Sequence, residues 1–576
     1  MEETHQTPCP EGKEMIHTHN EHATKTCGSY ISEELKAYIV QRHGTLELDP
    51  LPSSLPQDPL NWPLWMKNMN LLMVAFHTMM ATFTAAAIIP AYSVFAEKYG
   101  ISVHQASYLT SVQILTMGIF PQIWSPIAAR FGRRPIFLVS VLGACICNIG
   151  GCFCHTYATQ MVTRILNTIF ICPPLGIGSG VVTDIFFRHE RAQKMGWWTL
   201  MTTIGTPLGP FLYGFLIQRA PYQWMFGIFA IINFCQFLGY LFFASETMGF
   251  RTPASSNSSS TSTSPAATIK DAKPASWTDS FKIRRINPAP FTLTSFLSYL
   301  NLALNPSVLV PAIAYALVFC YANIAIIVMM PIAVGEKFHL NAQGVGLQYI
   351  AIILGSILGE QVSGPASDWF LARYSARTGI RAAAQRLWLT YPGFATVVTG
   401  LVVWGVQLQN AKDGVWNVTP MVGAAIASFG NQIITTTLIT YAVDNCPLRS
   451  SEVGLFINMF RQIWGFIGPF YIPLMFENLN FAATAGVYCA IIAVAGFTTY
   501  VAHPNTTPTT QCPTQRRGLK AEQSADAHQA TTPKTKGVGD IAAESARAAM
   551  ASPETQTPRG KDTTTATAIG HAVPTA

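Results

Sequence analysis

The sequence predicts an all-α membrane protein of about twelve transmembrane helices in two six-helix bundles, and three observations predict it. Hydrophobic residues make up 49% of the 576 residues and charged residues only 11%, against about 25% charged in soluble proteins. The apolar residues gather in stretches of about 20, the length an α-helix needs to cross about 30 Å of hydrocarbon. The stretches also fall into two similar sets of six.

The first set lies near 68–92, 107–128, 135–155, 158–182, 195–218 and 224–244, the second near 308–333, 344–366, 387–407, 418–442, 452–475 and 482–502. Helix is the expected form, because backbone polar groups in lipid are satisfied within a segment or in a closed barrel, and alternating barrel strands are absent from the pattern. Residues 1–67 read as a polar N-terminal tail, 68–244 as the first bundle and 245–307 as a linker centred on the Ser/Thr/Ala/Pro-rich Ala254–Thr268. The second bundle spans 308–502, and 503–576 reads as a disordered tail too poor in apolar surface to fold alone.

Charge is distributed unevenly along the chain. Arg130, Arg133, Arg134, Arg188, Arg191, Lys194, Arg251, Lys282, Arg284, Arg285, Arg373, Arg377, Arg381, Arg386 and Arg449 follow even-numbered spans, whereas the opposite loops offer only Lys98, Arg219, Lys337 and Lys412. The positive-inside rule places the first group, and with it both termini, in the cytoplasm. The net charge of +7 therefore reports topology, and no nucleic-acid partner is implied. Most cysteines fall inside apolar spans, and pairs two apart, such as Cys145/Cys147, point in different directions on a helix. No metal or cofactor is expected.

The two halves repeat each other. Pro90 is followed by Glu97-Lys98-Tyr99 as Pro331 is by Glu336-Lys337-Phe338, and Ser125-Pro126 ends the second span where Gly364-Pro365 ends the eighth. Asp184 precedes Gly209-Pro210 by 25 residues, and Asp444 precedes Gly468-Pro469 by 24. Parallel repeats of this kind place a cavity between the bundles at mid-membrane, reached alternately from either side.

Several motifs carry more specific information. The loop Ser125-Pro126-Ile127-Ala128-Ala129-Arg130-Phe131-Gly132-Arg133-Arg134-Pro135 is similar to Gly-x-Leu-Ala-Asp-Arg-x-Gly-Arg-Arg, with Ser125 for the Gly and Ala129 for the Asp; the second half keeps Gly364, Asp368 and Arg373. Gly205, Gly209, Pro210 and Gly214 form Gly-x-x-x-Gly-Pro-x-x-x-Gly in the fifth span. Small residues four apart let helices approach closely, and the Pro lets one bend. Asp58-Pro59-Leu60-Asn61-Trp62-Pro63 precedes the first span, with Trp62 and Trp65 placed to anchor at the membrane interface.

Over about residues 58–502 these motifs resemble the major facilitator superfamily. The segment 58–63 and the fifth-span motif resemble the fungal drug:proton antiporter branch, including its polyamine, organic-cation and metabolite efflux members. The resemblance implies a transporter rather than an enzyme, working as a monomer in the cell membrane and moving a small-molecule substrate in exchange for protons. It also implies conformational roles for Arg130, Gly132, Arg133, Arg134, the fifth-span glycines with Pro210, and Gly364, Asp368 and Arg373.

Ionisable residues inside spans are costly and usually face a cavity or a partner. Arg164 in the fourth span, which matches the family's fourth-helix Arg, and Arg461 in the eleventh are the expected substrate contacts, joined by His77 in the first. Carboxylates withdrawn from water exchange protons nearer neutral pH, so Glu360 is the first proton-coupling candidate and Asp184 the second. Proton-driven efflux of a small organic molecule is the leading expectation. Proton-coupled uptake of polyamines or other organic cations is the alternative, and a non-transporting receptor is the reading from another class.

Overall fold

The computed structural model describes residues 33–44, 48, 50, 52, 53, 58–248, 296–378, 383–446 and 449–502. Most of both expected tails and the Ala254–Thr268 linker lie outside the described residues. So do Arg251, Lys282, Arg284, Arg285 and Arg381.

Every span of the first half forms a helix. A short α1 (Glu33–His43) precedes α2 (Leu64–Ala86), which continues through a 3-10 turn at Ile89–Ala91 into α3 (Tyr92–Tyr99). There follow α4 (Val103–Ile119), α5 (Pro121–Phe131), α6 (Arg133–Cys152), α7 (Tyr157–Ile171), α8 (Pro173–Ile185), α9 (Arg188–Arg219) and α10 (Gln223–Phe243). The second half contains α11 (Pro306–Val318), α12 (Ala325–Met329), α13 (Ala342–Thr378), α14 (Thr390–Asn410), α15 (Thr419–Asn445) and α16 (Ser450–Ala502).

Ten helices among the described residues are long and apolar enough to cross a membrane. Two more spans complete the set of twelve. Helices α4 and α5 form one span bent at Phe120, whose N–H still bonds the Thr116 carbonyl at 3.0 Å. The 53-residue α16 is two spans, because Asn480 (φ 65, ψ 165) breaks it. Asn tolerates positive φ better than most side chains do.

Local chemistry explains the helix starts. Ser102 opens α4 with a capping box, its hydroxyl accepting from the Gln105 N–H while the Gln105 side chain accepts from the Ser102 N–H. Thr156 and Thr159 make the same reciprocal pair at α7. Within the apolar spans, hydroxyls return to their own helix: Thr84 donates to the Met80 carbonyl at 2.7 Å and Thr437 to Ile433 at 2.7 Å. Large side chains such as Ile146, Phe153, Phe242, Val494 and Phe497 remain exposed, forming the apolar exterior that lipid covers.

Two expectations about motif position need correction. Ser125-Pro126 and Gly364-Pro365 do not end their helices: Pro126 lies inside α5 and Pro365 inside α13, which runs on to Thr378. A proline costs its helix one N–H bond but does not oblige it to stop. Arg130, Asp368 and Arg373 therefore sit on helical turns and not in loops; of Asp368 only the backbone is described.

The Asp58–Pro63 segment is a local fastening. Asp58 caps the 3-10 turn Pro59–Asn61 through the Leu60 N–H at 3.0 Å and accepts from the Ser53 N–H at 2.8 Å. Asn61 in turn receives α1, accepting from Arg42 at its carbonyl and lying 3.1 Å from His43 Nε2. Ile39 of α1 is fully buried by this docking.

Between the halves, α9 packs along α13, and α4 and α8 pack against α16. These seams enclose the candidate site.

Candidate functional site

A cleft lies between the halves. The first half contributes Leu175 and Ser179 from α8 and Met195, Trp198, Thr199, Thr202 and Thr203 from α9. The second contributes Tyr315 from α11, Thr435, Ile439 and Val443 from α15, and Gly454, Ile457, Asn458 and Arg461 from α16. These residues are close in sequence to Asp184, Arg188, Asp444 and Arg449, so the cleft occupies the arginine-rich end of the molecule. A second, smaller cavity lies deeper, among α2, α4, the seventh span and α16. Arg461 lines both.

Arg461 is 5% exposed. It donates from Nη1 to the Tyr315 hydroxyl at 3.1 Å and from Nη2 to Asn458 Oδ1 at 3.0 Å, and its guanidinium sits 4.7 Å from the Phe319 ring centroid. Asn458 and Tyr315 were not anticipated from sequence. Asn458 was legible in principle, because residues three apart on a helix share a face. Tyr315 comes from another span, and no local signal announces it.

Arg164 occupies a different environment. It is 2% exposed, donates from Nη2 to the Thr84 carbonyl at 2.8 Å and lies 5.7 Å from the Phe226 ring. It lines neither cavity. Its Nε and Nη1 lack hydrogen-bond partners, as do both polar side-chain atoms of Asn167 and Asn233. The first half thus has a polar interior behind α2. His77 belongs to that half too, fully buried with Nδ1 3.2 Å from the Tyr240 hydroxyl and Nε2 3.3 Å from Ser140 Oγ, and it also lines neither cavity.

Glu360 lies behind the cleft wall. Its Oε2 accepts from Gln432 at 2.7 Å and Thr436 at 2.6 Å, both on α15. Its Oε1 faces Gly196 of α9, where an added Cβ would come within 2.5 Å. The carboxylate therefore sits on the seam between the halves. It makes no ion pair among the described residues.

The arginine-rich ends carry matching ion pairs. In the first half Arg133 Nη1 meets Asp184 Oδ2 at 2.8 Å, while the Glu246 carboxylate accepts the backbone N–H groups of Arg133 and Arg134, each at 3.0 Å. A carboxylate at a helix N-terminus is favoured by the exposed N–H groups and the helix dipole. Gly132, with φ 94, makes the turn into α6 that presents them. In the second half Arg386 Nε meets Asp444 Oδ2 at 3.1 Å and Nη1 donates to Ser367 at 2.7 Å. Asp184 and Asp444, related by the repeat, thus each close on an arginine that opens the preceding span. Arg373 stacks over Trp369 at 5.6 Å.

The far end is closed. The fifth-span glycines divide between two neighbours: Gly205 and Gly209 lie against the backbone of α2, and Gly214 lies against α13, where an added Cβ would meet the Ala342 carbonyl oxygen at 2.6 Å. On the other seam, Tyr108 of α4 and Phe470 of α16 meet with ring centroids 4.9 Å apart.

Known proteins share this plan. The family model described as "Major Facilitator Superfamily" matches residues 74–469. Among curated relatives, "Probable efflux pump mfs2" of Aspergillus flavus is 25% identical over 68% of this chain and 90% of its own length. "MFS-type transporter atr4" of Stereocaulon alpinum is 23% identical over 77% of this chain and 78% of its own. The solved structure of the human organic anion transporter MFSD10 (TETRAN) superposes with a TM-score of 0.53 at 12% identity, covering 76% of this chain and all of that one, a likeness of fold. With a family match over more than half its length and an all-helical two-bundle fold, the chain belongs to the Major Facilitator Superfamily and is a multi-pass membrane transporter of a small molecule, not an enzyme.

Proposed function

We propose that this chain exports a small, partly apolar organic molecule across the cell membrane in exchange for protons, as a monomer with both termini in the cytoplasm. The observation that carries the proposal is the cleft at the arginine-rich end, lined by both halves, opposite a far end held shut by Gly214 and by Tyr108 against Phe470. Rocking the halves about the α9–α13 and α4–α16 seams would close the first end and open the second. The efflux name of the Aspergillus flavus relative favours export. The domain division at 68–244 and 308–502 follows from the same two-body motion.

Within this scheme Arg461 contacts cargo and Glu360 carries the proton. A proton gradient biases alternating access only through a group whose surroundings differ between the two states. Glu360 meets that condition, since Gly196 against it belongs to the opposite half. Asp184, paired with Arg133, ties neighbouring spans of the first half at the arginine-rich end, as Asp444 with Arg386 does in the second.

The test is comparative metabolite profiling of cells with and without the gene, followed by transport of the accumulated compound in proteoliposomes with and without an imposed pH gradient. Export predicts intracellular retention when the gene is absent and accumulation driven by the gradient. Depletion of the compound in cells lacking the gene would reverse the direction.

A further inference from the structure

Among the described residues, Arg461 is the only Lys, Arg, His, Asp or Glu in the lining of these two cavities. The other polar groups there are neutral: hydroxyls such as Ser179, Thr202 and Thr435, and the amides Asn458 and Gln462. The guanidinium is nine-tenths buried, with no carboxylate partner among the described residues. A buried charge is expensive unless it is paired, and a phenol, an amide oxygen and an aromatic ring compensate it only in part. Arginine has five N–H donors in a planar fork. The two side-chain bonds to Tyr315 and Asn458 use two of them, and Nε has no partner. Trp198, Met195, Ile439 and Val443 line the rest of the cleft with apolar surface.

We propose that the cargo is an amphipathic organic anion, whose carboxylate or similar planar oxyanion pairs with Arg461 while its apolar body lies along Trp198 and Ile439. This deepens the transport reading and rests on it. A cation would leave Arg461 unpaired and add a like charge beside it, and a neutral molecule would leave the buried charge uncompensated. An anion satisfies the open donors through charge-assisted bonds, for which arginine is better suited than lysine.

The experiment uses the full-length protein in lipid nanodiscs and three probes of one shape: 2-naphthoate, 2-naphthylmethanol and protonated 2-naphthylmethylamine. Calorimetry at neutral pH is expected to give 2-naphthoate an affinity about tenfold or more above the alcohol, the scale of one charged hydrogen bond, with the amine weakest. Arg461→Gln should bring the anion to within about twofold of the alcohol, and Arg461→Lys should retain part of the preference. Thermal unfolding of each variant separates loss of the site from loss of the fold. Tyr315→Phe, which leaves the charge in place, should weaken the anion only severalfold.

Equal or tighter binding of the amine would overturn the proposal, as would an anion preference that survives Arg461→Gln or the absence of 2-naphthoate binding at about 1 mM. Flux in proteoliposomes then separates the two readings. Gradient-driven movement of the amine or the alcohol would keep the transporter and discard the anionic cargo. Selective binding of 2-naphthoate with no flux of it, or of any retained metabolite, would keep the anion site and discard export.

Discussion

The two halves of this transporter each bury one arginine within a span, yet the two side chains occupy different worlds. Arg164 in the first half donates to the Thr84 carbonyl amid unpartnered Asn167 and Asn233, behind α2 and away from both cavities. Arg461 in the second half stands where the cavities meet, held by Tyr315 and Asn458. The same hydropathy argument singles out both residues, so a buried charge by itself says that something must compensate it and not what the something is. The first half meets the charge with one backbone carbonyl and the Phe226 ring, while the second leaves the charge facing the space between the halves.

The comparison is broken most directly by kinetics. Arg461→Ala should lower kcat/KM by about two orders of magnitude, from losing two or so charge-assisted bonds to cargo, with the loss appearing mainly in KM. Arg164→Ala should lower kcat by about tenfold while KM stays within about twofold, because the residue has no cavity surface through which to bind cargo. If Arg164→Ala raises KM as far as Arg461→Ala does, the distinction between the halves is wrong.

Glu360 sharpens the asymmetry, since it is the carboxylate on the seam between α13 and α9. Glu360→Gln keeps its size and its bonds to Gln432 and Thr436 in a form that does not titrate. For one-to-one exchange a one-unit pH gradient supports about tenfold accumulation, and the Gln variant should show none while still exchanging cargo downhill. Accumulation that still follows the gradient would return Glu360 to a structural role and move the proton site elsewhere, with His77 and Asp184 to be tested next.

The seam itself offers a smaller effect. Gly214→Val places a branched side chain where the Ala342 carbonyl allows none, and should cost about 1–2 kcal/mol in thermal unfolding while opening the far end to a membrane-impermeant thiol reagent at a nearby engineered cysteine. Gly364→Val, with open space around its Cβ position, is the matched control and should change little. Equal effects of the two would remove the close approach of α9 and α13 from the account.

The ion pairs test where the halves agree. Arg133–Asp184 and Arg386–Asp444 are partly exposed on their acidic sides, 32% and 35%, so solvent screening limits each to about 1 kcal/mol or less. Arg133→Gln and Arg386→Gln should each change the transport rate by up to about fivefold, and double-mutant cycles with Asp184→Asn and Asp444→Asn should return similar coupling in both halves. Coupling confined to one half would mean that the repeat preserves the geometry without the function.

The sequence by itself determined the class, the twelve spans, the arginine-rich end and the pairing of Asp184 with Asp444 as equivalent positions, because hydropathy, length and repeat spacing are properties of the chain taken locally. It also marked Arg164, Arg461, His77 and Glu360 as ionisable residues inside spans. Only the tertiary structure decided which of them meets the cavities, that Glu360 is held by Gln432 and Thr436, and that Gly209 and Gly214 serve different neighbours. The reason is the solvent. In water an apolar stripe tells which face of a helix is buried, but in lipid the outward face is apolar as well, so periodicity carries little information about rotation. The azimuth of Arg164, turned into its own bundle, and that of Arg461, turned toward the other, are set by packing between spans far apart in the chain.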